Sequence, residues 1–92
     1  MCRNIRILHN FAPPTTPEEI RAAALQYVRK VSGMAKPTHG TDAAFERAID
    51  QITAATTTLL DALPARGEPR TREGERDKAR ARWSLRERKR TA

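Results

Sequence analysis

Apolar residues recur at helical spacing in two stretches of this chain and nearly vanish from a third. In the first, Ile20, Ala24, Tyr27, Val28 and Val31 form one stripe, with Leu25 at its margin and Arg21, Arg29 and Lys30 elsewhere on the circle. Thr16-Pro17-Glu18-Glu19 precedes it and combines a capping threonine, a proline suited to the first helical position and a Thr-x-x-Glu capping box. Two carboxylates in the first turn also suit the helix dipole. Gly33 supplies a stop, and Pro37 blocks continuation. These signals predict a helix over about 16–32, with Tyr27 read as core.

The second stretch follows a loop, Lys36-Pro37-Thr38-His39-Gly40. Phe45, Ala48, Ile49, Ile52, Ala55, Thr56, Leu59, Leu60 and Leu63 repeat at helical spacing, with Thr41 as the expected cap and Pro64 and Gly67 as the stop. A helix over about 42–63 results. Thr56-Thr57-Thr58 is its weak spot, because β-branched side chains lose rotamer freedom in a helix. Two amphipathic helices joined by a short loop predict an antiparallel hairpin. Ahead of it, Ile5, Ile7, Leu8 and Phe11 stand among polar residues and read as a short helix or turn packed on the hairpin, ended by Ala12-Pro13-Pro14.

From Ala65 onward only Trp83 and Leu85 are large and apolar. Such a segment buries too little surface to offset an ordering entropy of roughly 1–2 kcal/mol per residue. The expectation is a disordered basic tail over 65–92, beside a helical head over 1–64, in an all-α protein. Glu73/Arg76, Glu75/Lys78 and Asp77/Arg80 are spaced to sustain a transient helix in that tail.

Charge sharpens the division. Residues 1–64 hold seven Lys/Arg and six Asp/Glu, a net of +1, whereas residues 65–92 hold eleven and five, a net of +6. Aromatics are 4% of the 92 residues, which is thin for a core spanning the whole chain. No apolar run is long enough to cross a membrane, and none follows Met1-Cys2-Arg3-Asn4 as a signal peptide would require. The cytoplasm is the expected compartment, and one cysteine fits a reducing environment. A head this small draws little stability from its own core, so a homodimer is also expected.

Several segments carry a resemblance: Met1-Cys2-Arg3-Asn4-Ile5, Asn10-Phe11-Ala12-Pro13-Pro14-Thr15-Thr16, the run from Glu18 through Gly33, and Ala44-Phe45-Glu46-Arg47-Ala48. Over residues 1–63 the chain resembles a family of short, mainly bacterial proteins, a domain of unknown function whose members begin Met-Cys-Arg-Asn-Ile. The resemblance implies no activity, substrate or cofactor, and it leaves out the tail. It draws interest to Cys2, Arg3 and Asn4. Positions 56–58 are threonine here where the family often has basic residues, so if relatives carry a binding face on the second helix, the resemblance implies a weaker one in this chain.

Two sets of residues carry candidate chemistry. Removal of Met1 would leave Cys2 with thiol and α-amine on one residue, a nucleophile with its own base or a chelating pair, and Arg3 would favour the thiolate. Cys2 is thus the one catalytic candidate, against the plain reading of a small packed residue. Cys2, His9 and His39 are the weak metal candidates. Their spacing matches no zinc signature, so neither metal nor cofactor is expected. The second set is Arg76, Lys78, Arg80, Arg82, Trp83, Arg86, Arg88, Lys89 and Arg90. Arginine gives bidentate phosphate contacts and tryptophan can stack on an unpaired base, against the plain reading of a solubilising tail. The favoured function is a non-enzymatic binding protein, associated with RNA, the ribosome or DNA but not with membrane. A thiol- or metal-dependent site around Cys2 is the alternative.

Overall fold

The computed structural model describes residues 5–91. Among them are three α-helices and no strand: α1 (Pro17–Ser32), α2 (Asp42–Ala62) and α3 (Arg72–Thr91). The expected all-α class is therefore right.

α1 begins as its sequence predicts. The Glu19 N–H donates to Thr16 Oγ1 at 3.2 Å, and the Thr16 N–H donates to Glu19 Oε1 at 2.8 Å, closing the capping box. Gly33 ends the helix at φ +72°, in the left-handed region that favours glycine, and its N–H reaches the Arg29 carbonyl at 3.0 Å. Thr16→Ala is expected to cost about 1 kcal/mol in urea unfolding, with Thr16→Ser close to the parent.

α2 starts after Thr41 as expected, but the Thr41 side chain does not cap it. Its hydroxyl donates back to the Thr38 carbonyl at 2.7 Å and so closes the loop instead. The threonine-rich stretch of α2 is internally bonded. Thr53, Thr57 and Thr58 donate to the carbonyls of Ile49, Thr53 and Ala54, each four residues back.

α1 and α2 pack on each other through Ala24, Val28, Phe45 and Ile49, flanked by Leu25, Met34, Ala48 and Ile52. Ala24, the smallest of the four, is 2% exposed. Beside this core, Arg21 forks to Asp50 Oδ1 and Glu46 Oε2, both at 2.6 Å. These exposed ion pairs link the two helices but add little stability.

Tyr27 and Val31, read as core in the sequence, are exposed at 47% and 63%. The stripe on α1 is wider than the face α2 covers, and these two side chains lie at its uncovered edge.

The N-terminal segment is not helical. It runs from Ile5 to Thr15 as bends and extended chain, with Asn10 at φ +61°, a conformation asparagine tolerates better than most residues. The Thr15 hydroxyl donates to the Leu8 carbonyl and closes this segment on itself.

The tail departs from the expectation of disorder: Arg72–Thr91 is helical. The Gly74 N–H donates to Thr71 Oγ1 at 2.9 Å and caps the start. Glu73 and Glu75 sit in the first turn. Two of the three anticipated ion pairs form, Glu75–Lys78 and Asp77–Arg80, each at 3.2 Å. A helix of strong helix formers with dipole-matched charges lacks chiefly a nucleus, and anchoring of its first turn supplies one. α3 packs against neither α1 nor α2. The radius of gyration is 16.1 Å, against about 12 Å for a compact chain of this length. The third helix therefore projects as an arm.

Candidate nucleic-acid interface

The arm is held at its base by two arginines. Residues 66–72 run beside the N-terminal segment. The Arg70 N–H donates to the Asn10 carbonyl at 2.7 Å, and the Ala12 N–H donates to the Arg70 carbonyl at 3.0 Å. Asn10 Nδ2 reaches the Arg66 carbonyl at 2.8 Å, and Arg70 Nη1 reaches the His9 carbonyl at 2.7 Å. Arg72 then clamps the first turn of α3 to α1. Its Nε and Nη2 grip Glu19 Oε2 and Oε1 at 2.9 and 2.7 Å, a bidentate pair. Nη1 and Nη2 also donate to the carbonyls of Pro13 and Pro14. The guanidinium carbon lies 5.4 Å from the centre of the Phe11 ring, within cation–π range.

Glu19 is thus shared between the cap of α1 and the clamp on α3. The Arg72 guanidinium, followed by the Thr16 backbone N–H, lowers its pKa from 4.5 to about 2. A carboxylate whose pKa is lower folded than unfolded stabilises the fold above the unfolded value, and that contribution is lost as pH falls toward the folded one. Glu19→Gln is therefore expected to melt below the parent above pH 4.5, with the gap closing between pH 4.5 and about 2. Thermal melts of both proteins across that range check this.

Beyond the clamp the charge changes character. Residues 65–77 hold four Lys/Arg and four Asp/Glu, net zero, whereas residues 78–92 hold seven and one, net +6. All of the tail's excess charge therefore lies from Lys78 onward. Every described side chain from Arg76 to Lys89 is exposed except half-buried Glu87. At about 100° per residue, Lys78, Arg82 and Lys89 share one row, Arg86 lies about 60° to one side, Arg88 about 100° to the other, and Arg80 nearly opposite. Lys78 and Arg80 are partly neutralised by their ion pairs, whereas Arg82, Arg86 and Lys89 carry no ion pair among the described residues. Trp83 and Leu85, 58% and 56% exposed, stand about 160° apart on this helix.

Among the described residues the other candidates are not joined into a site. Cys2, with Arg3 and Asn4, lies outside the described residues, as does the side chain of Arg90. His9 is half-buried in the N-terminal segment and His39 is exposed in the loop before α2. No group of three metal-ligating side chains occurs among the described residues. Of the basic residues on the head, Arg21 is held by two carboxylates and Arg29 donates to the Ala35 carbonyl at 2.9 Å. An open groove of about 240 Å³ lies between the N-terminal segment and the end of α2, smaller than ordinary ligand pockets.

The roles of Asn10, Arg70 and Arg72 have no sequence signal of their own. A basic residue that grips a carboxylate fifty-three positions away reads the same as one that faces water.

A family model described as an uncharacterized conserved protein (DUF2277) matches residues 1–78. The match includes the segment carrying Arg70 and Arg72 and reaches fifteen residues past the 1–63 span of the sequence resemblance. It ends at Lys78, where the net positive charge begins. No curated protein and no solved structure matches the chain.

Proposed function

The chain belongs to this uncharacterized conserved protein family, and we propose that it is a non-enzymatic nucleic-acid-binding protein of the cytoplasm: a helical hairpin that holds a basic helical arm. One observation carries the reading. A net charge of +6 lies from Lys78 onward, on a helix that packs against neither α1 nor α2. Self-repulsion of this kind is relieved by a polyanion, and arginine-rich helices give bidentate, salt-sensitive phosphate contacts.

The distribution of side chains favours nucleic acid over a lipid surface. Trp83 and Leu85 point to nearly opposite sides of α3, so the arm has no apolar face to insert. No helix among the described residues is long and apolar enough to cross a membrane. The head's part is mechanical: its His9 carbonyl and Glu19 carboxylate hold Arg70 and Arg72 where the arm leaves the hairpin. The family match ends as the basic half begins, so binding by the arm is proposed for this chain, and the clamp is what the matched region contributes to it.

The test compares the full chain with a chain ending at Asp77, which keeps Arg70, Arg72 and the whole clamp. By fluorescence anisotropy on a labelled oligonucleotide at 50 mM salt, the full chain is expected to bind in the micromolar range typical of non-specific contacts, about 10⁻⁶ M. The shortened chain is expected to bind at least about 100-fold more weakly. Equal binding by the two, or none by either, contradicts the proposal.

A further inference from the structure

We infer that α2 pairs with the α2 of a second copy, antiparallel and about a two-fold axis, through the side of α2 that α1 leaves uncovered. This interaction surface is independent of the nucleic-acid reading and stands if that reading fails.

α2 carries two apolar positions that repeat every seven residues. Phe45, Ile52 and Leu59 hold the first, and Ala48, Ala55 and Ala62, each three residues on, hold the second. A repeat of this kind is what one helix presents to another. α1 takes only one flank of it. Phe45 and Ile49 are buried against α1, whereas Leu59 is 56% exposed and Ala55 and Ala62 are exposed. At about 100° per residue, all five charged residues of α2 (Asp42, Glu46, Arg47, Asp50 and Asp61) stand 100° or more from Ala48. The uncovered side is therefore free of charge, while Glu46 and Asp50 turn to Arg21.

Two observations select a second copy running antiparallel. The first is size. In an antiparallel pair the first position of one helix faces the second position of the other, so large side chains meet small ones. In a single register Leu59 meets the partner's Ala48, and Ile52 meets the partner's Ala55. A parallel pair would set leucine on leucine and alanine on alanine, with gaps at the alanines. The second observation is charge. The arm leaves beside the C-terminal end of α2: Leu60 and Leu63 line one groove with Phe11 and Pro14, and Arg72 touches both of the latter. Antiparallel pairing sets the bases of the two +6 arms at opposite ends of a 21-residue helix. That helix is about 31 Å long, against a Debye length of about 8 Å at 0.15 M salt.

Area agrees. Ala23 and Tyr27 of α1 stand 120° or more from Arg21, on the same side of the helix pair, with Tyr27 at the rim. With residues 45–62 of α2 they make a face about 27 Å long and two helices, about 20 Å, wide. Two such faces bury about 1,000 Å², the least a specific dimer needs.

The experiment measures the mass of the full chain by light scattering during gel filtration, after nuclease treatment so that no nucleic acid bridges two copies. Twice 10.4 kDa is expected at high loading, with a dissociation constant of about 10⁻⁵ M or tighter. Leu59→Glu places an unpaired carboxylate in the contact twice, once from each copy, and is expected to weaken the dimer at least about 100-fold. Ala55→Leu overfills the space against the partner's Ile52 and is expected to weaken it about tenfold or more. Asp61→Lys, 140° from Ala48, is expected to leave it unchanged. Leu59 and Ala55 are exposed in the single chain, so circular dichroism of each variant in dilute solution should match the parent.

A mass of 10.4 kDa for the full chain at about 200 µM, well above the expected dissociation constant, overturns the inference. So does a dimer that Leu59→Glu leaves intact or that Asp61→Lys dissociates, because the contact then lies elsewhere. Tighter association of Ala55→Leu overturns the antiparallel arrangement, because only a parallel pair has room at that position.

Discussion

Phe45→Ala is expected to unfold the head. Phe45 is 7% exposed and sits in the four-residue cluster that joins α1 to α2. Truncating a buried phenylalanine costs about 3–5 kcal/mol, through lost transfer energy and the cavity left behind. A scaffold of this size holds only about 3–5 kcal/mol in total, so the two quantities are nearly equal. Circular dichroism should show most helical signal lost at 25 °C without denaturant. Tyr27→Ala is the contrast. At 47% exposure, its loss is expected to cost less than about 1 kcal/mol. Similar costs at the two positions would mean that α2 covers a different face of α1.

The second large effect lies in the arm. Replacing Arg82, Arg86 and Lys89 together by glutamate takes the net charge from +7 to +1, because each change subtracts two. Affinity for nucleic acid at 50 mM salt is expected to fall by at least about 100-fold, since lost phosphate contacts are replaced by repulsion. The glutamine versions keep helix propensity and remove charge without reversing it. They should reduce the slope of log affinity against log salt by about 3, close to one for each phosphate contact removed. Both variants keep Arg72, Glu19 and the core, so the melting transition of the head should remain.

α1 and α2 were legible because their signals are local. Thr16, Pro17, Glu19 and Gly33 each act within one turn of the backbone, and every bond they imply in α1 is present. The apolar stripes told which residues prefer burial but not how wide a face the partner helix covers. That is why Ile20, Ala24 and Val28 are buried while Tyr27 and Val31 are not.

The arm was harder for a different reason. Its ion pairs and helix formers were visible, but whether they make a helix depends on the cost of the first turn. That cost is offset by Thr71 and Arg72, and Arg72 works through Glu19, Pro13, Pro14 and Phe11, all more than fifty residues earlier. Long-range polar contacts of this kind leave no periodicity to read. The cations of the candidate interface were visible individually. Their placement on the arm could be read only once the segment proved helical and held to α1 at Arg72 alone.

Salt dependence tests the central claim most directly. Affinity of the full chain for a DNA duplex would be measured by fluorescence anisotropy between 50 and 200 mM salt. With seven cations and one carboxylate from Lys78 onward, four to five phosphate contacts are expected, so log affinity should fall with log salt at a slope of about −4. That corresponds to a loss of about 150–500-fold over the range. The chain ending at Asp77 should show no measurable binding to follow. A slope near zero, or the same slope in both chains, would show that the basic half of α3 is not what meets the nucleic acid.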